Sequence, residues 1–540
     1  MEAHNASIWE TVADAIPDAD AIVQQARRRT WGDFEARAAR LAGAFAEAGV
    51  GPGDPAEPGS AGKVALYLYN SPEYMETYFA AFKLRGIPVN VNYRYLDDEL
   101  LYLVDNSESL VVVFHSSLGD RIGRVRDRLP NVRRWIEVAD DDAHLEGAER
   151  YEDVIASTGP APRIERSADD VTMTYTGGTT GMPKGVMSRM GPGIAAAHAG
   201  LPTLLQLPAL TPETVATVAA EQAATDSRPR VMSPPPLMHG TGIAAANWVL
   251  NAGGTLILVD GRTFDPHEVW DTVEREGVHA ITVVGDPFAR PMVRALEEKP
   301  GRDLSSMKCI TSAGAMFSKE VKEALVEHMP QLLIVDFMAS TEASMAQSVF
   351  TKDVRTDTAK FAMTPTTKVF TDDDRVVEPG SGEIGMLAVA ETPTLGYYKD
   401  PEKTARTIRE IDGTRWTIPG DYATVEADGT ITLLGRGSQV INTGGEKVFA
   451  EEVEEVLKTH GVIDDCLVVG VPDERFGSRI VAVVSARDGA EVAPADLIAH
   501  ARSKLAAYKA PKDVVVVATV PRAPNGKADY KTARALAVPV

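Results

Sequence analysis

Apolar residues fall along the first four-fifths of the chain in short runs, separated by longer stretches where they recur at helical spacing. Lys63–Tyr69, Leu110–Phe114, Thr255–Val259, Ala280–Val284 and Leu332–Val335 read as buried strands. Between the first two lies a predicted helix, with Ser71 as N-cap, Pro72 at the first helical position, and Tyr74, Tyr78 and Phe82 on one face. Strand–helix alternation predicts an α/β fold of parallel sheets covered by helices. No internal repeat stands out. The pattern shifts near Gly435-Arg436-Gly437. A helix from Glu451 then carries Val453, Val456 and Leu457 on one face, followed by strands at Leu467–Val471 and Ile480–Val484. A second helix at Asp496–Ala507 leads to a strand at Val514–Val517. That is enough chain for a small α+β domain. The expected division is a large domain over 1–435 and a small one over 436–540.

Composition narrows the class of protein. A chain of 540 residues exceeds one ordinary core, and 44% hydrophobic with 24% charged residues is the balance of a soluble globular protein. The net charge of −22 argues against a general nucleic-acid or anionic-membrane binder, so any site for phosphates must gather its cations locally. Cys309 and Cys466 lie far apart and offer neither a disulfide framework nor a metal pattern; both are expected as buried thiols. There is no signal peptide at Met1–Ala21 and no apolar run near the ~18 residues that span a bilayer, so a cytoplasmic location is expected.

The richest chemistry lies in Thr174-Tyr175-Thr176-Gly177-Gly178-Thr179-Thr180-Gly181-Met182-Pro183-Lys184-Gly185. Closely spaced glycines let the main chain turn tightly and bring N–H groups to an anion. Thr176, Thr179 and Thr180 add hydroxyl donors, and Lys184 adds a mobile positive charge. The run Val171–Tyr175 reads as a strand, which puts the segment at a strand end, where α/β proteins bind ligands. It reads as a polyphosphate cradle, but the lysine between Pro183 and Gly185 breaks the P-loop pattern. Glu342, in Met338-Ala339-Ser340-Thr341-Glu342 after the predicted strand Leu332–Val335, is a natural Mg²⁺ ligand beside such a cradle. Asp421, in the turn Pro419-Gly420-Asp421, has the chemistry to accept both hydroxyls of a ribose. No Gly-x-Ser-x-Gly elbow points to a hydrolase. His198, His267 and His279 show no metal spacing, and the runs Asp140–Asp142 and Asp372–Asp374 read as solvated turns.

The Thr174–Gly185 segment resembles the phosphate loop of the adenylate-forming superfamily of acyl-CoA synthetases, luciferases and peptide-synthetase adenylation domains, with Gly178 at the usual serine. The resemblance runs in family order from Thr174 to Lys527. It implies that Thr176, Gly177, Gly178, Thr179, Thr180, Gly181 and Lys184 clamp the ATP phosphates. Glu342 is implied as the Mg²⁺ ligand, Ser340 as part of that motif, and Thr341 near the α-phosphate. Met338 and Ala339 replace the tyrosine and glycine that the family places at adenine. Ser312, Gly314 and Ala315 fall at the family's adenine turn. Asp421 and Arg436 are implied at the ribose or phosphates, Pro419 replacing a threonine or serine. Ser438 takes the place of the hinge residue, and Gly444 and Gly445 that of the thioester loop that passes pantetheine. His239 and Gly240 fall in the acyl-pocket motif, and Lys527 at the catalytic lysine, which would meet the charge of the adenylation transition state. Pro55–Gly62 looks like a surface insertion relative to the family.

The run Gly285–Pro291, together with Pro419-Gly420-Asp421 and Gly435–Ser438, resembles actinobacterial ligases that activate sterol side-chain carboxylates and medium- to long-chain fatty acids. The implied activity is ATP-dependent carboxylate–CoA ligation, with ATP, Mg²⁺ and coenzyme A as partners of a carboxylic acid and a homodimer left open. Two alternatives are an enzyme that passes acyl-AMP to a separate carrier protein and a non-catalytic nucleotide-binding module.

Overall fold

The computed structural model describes residues 2–178, 181–259, 262–443, 446–473, 477–487, 489–523 and 526–538. All five runs read as buried strands lie in strands: Lys63–Tyr67, Ser109–His115, Thr255–Leu258, Ala280–Val283 and Leu333–Ala339. The predicted helix is Pro72–Lys83, and Ser71 Oγ accepts the Tyr74 N–H at 3.3 Å. Its Phe79 and Phe82 pack edge-on against Trp9 of the helix Asn5–Ala15. This aromatic cluster closes the core beneath both sheets of the large domain.

The large domain carries two main sheets. The first runs Thr394–Tyr397, Gly181–Arg189, Val171–Gly178, Ile87–Asn90, Lys63–Tyr67, Ser109–His115, Arg134–Val138, Glu149–Arg150. The second is parallel from Asp20–Gln24 through Thr255–Leu258, Arg230–Met232, Ala280–Val283 and Cys309–Ala313 to Leu333–Ala339. There it reverses, because Ser344–Phe350 returns antiparallel to Leu333–Ala339. From this point to Arg436 the expected alternation fails: the strands are antiparallel, and Pro401–Thr407 is the one helix among the described residues. The cause is visible in the side chains. Strands such as Ser344–Phe350 bury one face and expose the other, so they lack the continuous apolar runs of the parallel strands.

A buried ionic cluster ties the start of the chain to the strand that leads into the glycine-rich segment. Lys83 Nζ meets Glu10 at 2.6 Å and Glu35 at 2.7 Å, while Arg166 meets Glu10 at 2.8 Å. Lys83 and Arg166 are each 2% exposed. Arg166 precedes Val171–Gly178, so the cluster joins the helices Asn5–Ala15 and Pro72–Lys83 to that hairpin.

The C-terminal unit has the elements expected of it: the helices Ala450–Lys458 and Pro494–Lys504, and the strands Ile463–Asp473, Gly477–Ala486 and Asp513–Val517 in one sheet. A hairpin at Val440–Thr443 and Glu446–Phe449 and a last helix, Tyr530–Ala537, complete it. It is held against the large domain by ion pairs of Arg294 with Asp464 and of Arg487 with Glu320, the latter at 3.1 Å. Cys309 and Cys466 are buried as expected; burial pushes the Cys309 thiol up to about 12 and raises Cys466 well above an ordinary thiol. No helix of the described residues is long and apolar enough to cross a membrane.

Candidate active site

Side-chain bonds join the turn after the last parallel strand to the strand Thr394–Tyr397 beside the hairpin, at the strand ends where an open α/β sheet usually takes a ligand. Most of the glycine-rich segment is strand. Val171–Gly178 pairs antiparallel with Gly181–Arg189, setting Thr176 opposite Lys184 and Gly178 opposite Gly181. Lys184 thus projects from a strand, and its ammonium pairs with the Asp400 carboxylate. Thr179 and Thr180 lie outside the described residues, and Gly177 is part of the first strand.

Glu342 sits in the turn where the second sheet reverses. Ser340 Oγ accepts the N–H groups of Glu342 at 3.2 Å and Ala343 at 3.3 Å, which fixes that turn. Thr394 Oγ1 donates to the Glu342 carbonyl at 2.6 Å, and the Tyr397 hydroxyl donates to its carboxylate at 2.5 Å. Thr341 is half-buried in the same turn, and Ala339 ends the strand. Met338 is buried in the apolar core of the antiparallel layer, leaving little of its thioether to meet a ligand.

Gly314 follows the strand Cys309–Ala313 with φ of +95°, a left-handed conformation that glycine adopts without strain. A Cβ there would lie 3.2 Å from Cε of Lys527. Ser312 is buried behind the turn: its hydroxyl accepts the Gly285 N–H at 3.1 Å, next to Asp336, which pairs with Lys322 at 3.0 Å. Ala315 is half-buried beside it.

Asp421 and Arg436 face each other across the pair Asp421–Val425 and Thr430–Arg436, with Nε to Oδ1 at 3.1 Å. Asp421 is 6% exposed, yet its Oδ2 has no hydrogen-bond partner among the described residues. A buried carboxylate oxygen left so is costly unless a ligand completes it, and ribose hydroxyls would. Asp421→Asn should therefore raise the KM for ATP about tenfold, the worth of one charge-assisted hydrogen bond of ~1.5 kcal/mol. The ATP dependence of AMP release measures it, and an unchanged KM would remove the ribose role.

Lys527 reaches this centre from the small domain. Its loop is closed by Ala523 N–H to Lys527 O and Gly526 N–H to Ala523 O, both 2.8 Å. Asp465 anchors the loop through Arg522 at 2.7 Å. Gly526 packs so tightly on the helix Asp286–Glu298 that a Cβ would come 2.9 Å from Pro287 Cβ. Water still reaches the Lys527 side chain, but protein surrounds it on most sides. Desolvation and the Arg436 charge lower its pKa, against the opposing pull of Glu342 and Asp421.

His239 precedes the helix Gly240–Asn251, which opens at Gly240. Its Nε2 is buried without a partner among the described residues. Desolvation, Lys527 and Arg94 bring the imidazole down to about 3, so the ring is neutral. Arg94 also lines a cavity of about 510 Å³, with Arg121, Arg124 and Arg262 and the rings of Tyr69 and Tyr93. Asp140, expected in a solvated turn, accepts from Ser116, Ser117 and Arg262 at this cavity's edge. Among the described residues no three His, Cys, Asp or Glu side chains converge on a metal position. Ser438 lies in the short helical turn Gly437–Gln439, and Gly444 and Gly445 lie outside the described residues.

Sequence reasoning missed Thr394, Tyr397 and Asp400, as well as the four arginines of the cavity. Thr394 and Tyr397 come from a strand with no charged residue, and Asp400 caps the short helix that follows it. The signal for the cavity was Arg121 and Arg124, three apart in the helix Gly119–Val125 and so on one face.

This chain belongs to the AMP-binding enzyme family: residues 9–398 match the family's main domain and residues 452–527 its C-terminal domain. It is 40% identical to a 3-oxocholest-4-en-26-oate–CoA ligase of Rhodococcus rhodochrous, over 99% of this chain and 96% of that protein. It is 38% identical to the medium-chain acyl-CoA ligase Mig of Mycobacterium avium, over 98% of each. The anthranilate CoA ligase AuaEII in complex with anthranoyl-AMP shares the fold, with a TM-score of 0.83 at 21% identity over 99% of this chain and 97% of that one.

Proposed function

We propose that the protein is an ATP-dependent carboxylate–CoA ligase that forms acyl-CoA through acyl-AMP, on a medium- or long-chain fatty acid or a steroid side-chain acid. The acid class rests on what the relatives' names say they activate. The reaction type rests on one observation above others: Lys527 of the small domain stands against Gly314 and shares its electrostatic surroundings with Glu342, Asp421 and Arg436.

In the first half-reaction a carboxylate oxygen attacks the α-phosphorus of ATP. The new P–O bond forms as the bond to the α–β bridging oxygen breaks, and pyrophosphate leaves with that electron pair. Lys527 meets the charge that grows on the α-phosphoryl oxygens, where a cation positioned in advance stabilises the transition state. Asp421 takes the ribose hydroxyls, and Lys184 exchanges Asp400 for phosphate. Glu342 is the residue that would hold Mg²⁺: Tyr397 engages one of its oxygens, and a lone carboxylate suits an ion that keeps water and phosphate oxygens as its other ligands. Bound with ATP, the ion would neutralise phosphate charge. The neutral His239 ring offers the acyl pocket one hydrogen-bonding nitrogen without a charge.

In the second half-reaction the small domain, with its border at 435/436, turns about Ser438. Lys527 withdraws and the Gly444–Gly445 loop arrives. The CoA sulfur attacks the acyl carbonyl carbon, the C–O bond to AMP breaks, and the thiol proton passes to solvent. We assign the phosphoadenosine end of CoA to the arginine cavity. Arg124 pairs with Asp97 and Arg262 with Asp140, while Arg94 and Arg121 form no ion pair among the described residues; these two guanidiniums with the aromatic rings suit phosphates and a purine, and Arg94 links the cavity electrostatically to His239.

Mass spectrometry of AMP and acyl-CoA from fatty, aromatic and steroid acids, with and without CoA, tests the reading. Acyl-CoA from a lipid-like acid is expected. Acyl-AMP that persists with CoA present would replace the ligase by a carrier-linked enzyme, and no product from any acid would leave a nucleotide-binding module.

A pH prediction follows from Lys527. The charged ammonium is the active form and its pKa is lowered, so adenylation falls as pH rises through a value below that of free lysine. ATP–pyrophosphate exchange should show this alkaline limb, and the residual activity of Lys527→Arg should show it displaced upward. A limb that stays in place in that variant would belong to another group.

A further inference from the structure

We infer that Lys403 is a further phosphate-contacting residue, whose ammonium receives the β- and γ-phosphates of ATP and the pyrophosphate they become. The inference rests on the ligase reading above and adds a residue that no motif in the chain pointed to.

Lys403 lies in the first turn of the helix Pro401–Thr407, where its N–H is capped by Asp400 at 2.9 Å. Its Nζ stands 4.0 Å from the centroid of the Tyr397 ring, and the hydroxyl of that ring is the one bonded to Glu342. Asp400 spends its charge on Lys184. Lys403 itself is half-buried and forms no ion pair among the described residues. An aromatic face holds an ammonium in place by its quadrupole but does not neutralise it. The charge is therefore positioned with no carboxylate in direct contact among the described residues. Desolvation lowers the Lys403 pKa, and four site charges act on it: Glu342 and Asp400 favour its cation, whereas Lys184 and Arg436 oppose it. Those carboxylates act from beyond ion-pair distance, so the half-buried ammonium keeps a direct position for an anion.

The chemistry supplies that anion. As the α–β bridge breaks, the departing electron pair adds charge to pyrophosphate. Lys184 approaches from the hairpin and Lys403 from the neighbouring segment, whose strand Thr394–Tyr397 is hydrogen-bonded to that hairpin. Two lysines from separate elements would share the leaving group, each with a different resting contact: a carboxylate for Lys184, a ring for Lys403.

The test compares wild type, Lys403→Gln and Lys403→Arg in three measurements: ATP–pyrophosphate exchange, thermal stabilisation by magnesium pyrophosphate, and thioester formation from added acyl-AMP and CoA. Lys403→Gln should raise the KM for pyrophosphate at least tenfold and lose most of the pyrophosphate-induced stabilisation. Thioester formation should stay within twofold, and Lys403→Arg should recover most of the pyrophosphate affinity. Pyrophosphate affinity within twofold of wild type in Lys403→Gln would overturn the inference. So would an equal loss in all three measurements, which would make Lys403 a support for Tyr397 only. If wild type exchanges pyrophosphate with no acid, the ligase reading fails, while the stabilisation measurement still decides Lys403.

Discussion

Lys527→Ala is expected to lower adenylation by about 10²–10³-fold, the ~2.7–4 kcal/mol that one preorganised charge or donor contributes to a transition state. Thioester formation from added acyl-AMP should stay near wild type. The asymmetry follows from where the residue comes from. Lys527 belongs to the small domain and touches the Gly314 turn only because Gly526 is seated on Pro287 and Phe288. A group delivered by a mobile unit can serve one step and be absent from the other. Single-turnover measurement of each half-reaction decides it. Equal losses in both would mean that Lys527 supports the fold of its loop and not the chemistry.

The second large effect concerns stability. Lys83→Met should destabilise the large domain by about 3–5 kcal/mol, because it leaves the buried Glu10 and the half-buried Glu35 with one cation fewer. Methionine matches the lysine stem in volume, so the loss reads the charge and not a cavity. The midpoint of urea unfolding, followed by tryptophan fluorescence, measures it; Trp9 and Trp31 are buried close to the cluster and report on this region. A shift under about 1 kcal/mol would mean that Arg166 and Arg163 neutralise the cluster without it. Because Arg166 precedes the strand that carries Thr176, partial loss of this anchor should also weaken ATP binding before the domain unfolds.

The parallel half of the fold was legible from the sequence because its strands are buried on both faces and read as unbroken apolar runs, as in Ala280–Val283. The antiparallel half was not, since Ser344–Phe350 and its neighbours alternate and resemble loops at low resolution of pattern. The same split governs the site. Lys184, Asp421, Arg436 and Lys527 stand beside glycines that mark them in the sequence, Glu342 stands in a turn fixed by Ser340, and the structure brings Glu342, Asp421, Arg436 and Lys527 into one electrostatic neighbourhood. Tyr397, Asp400 and Lys403 lie on a strand and a short helix with no such punctuation. Their importance exists only in space: one ring touches both the Glu342 carboxylate and the Lys403 ammonium. Ser312 illustrates the converse. It was legible as part of a turn, but only the hydrogen bonds show that it holds that turn from behind.

The two sulfurs have a practical consequence. Cys309 and Cys466 are sealed in the interior with thiols that resist ionisation, so a maleimide has almost no thiolate to attack. The natural chain is thus already a silent background for attaching fluorophores. One cysteine introduced at the exposed Ser503 and another at the exposed Glu297 would place a donor and an acceptor on the two domains without removing any native residue. Energy transfer between them would report any change in the separation of the two domains, turnover by turnover, in a single molecule.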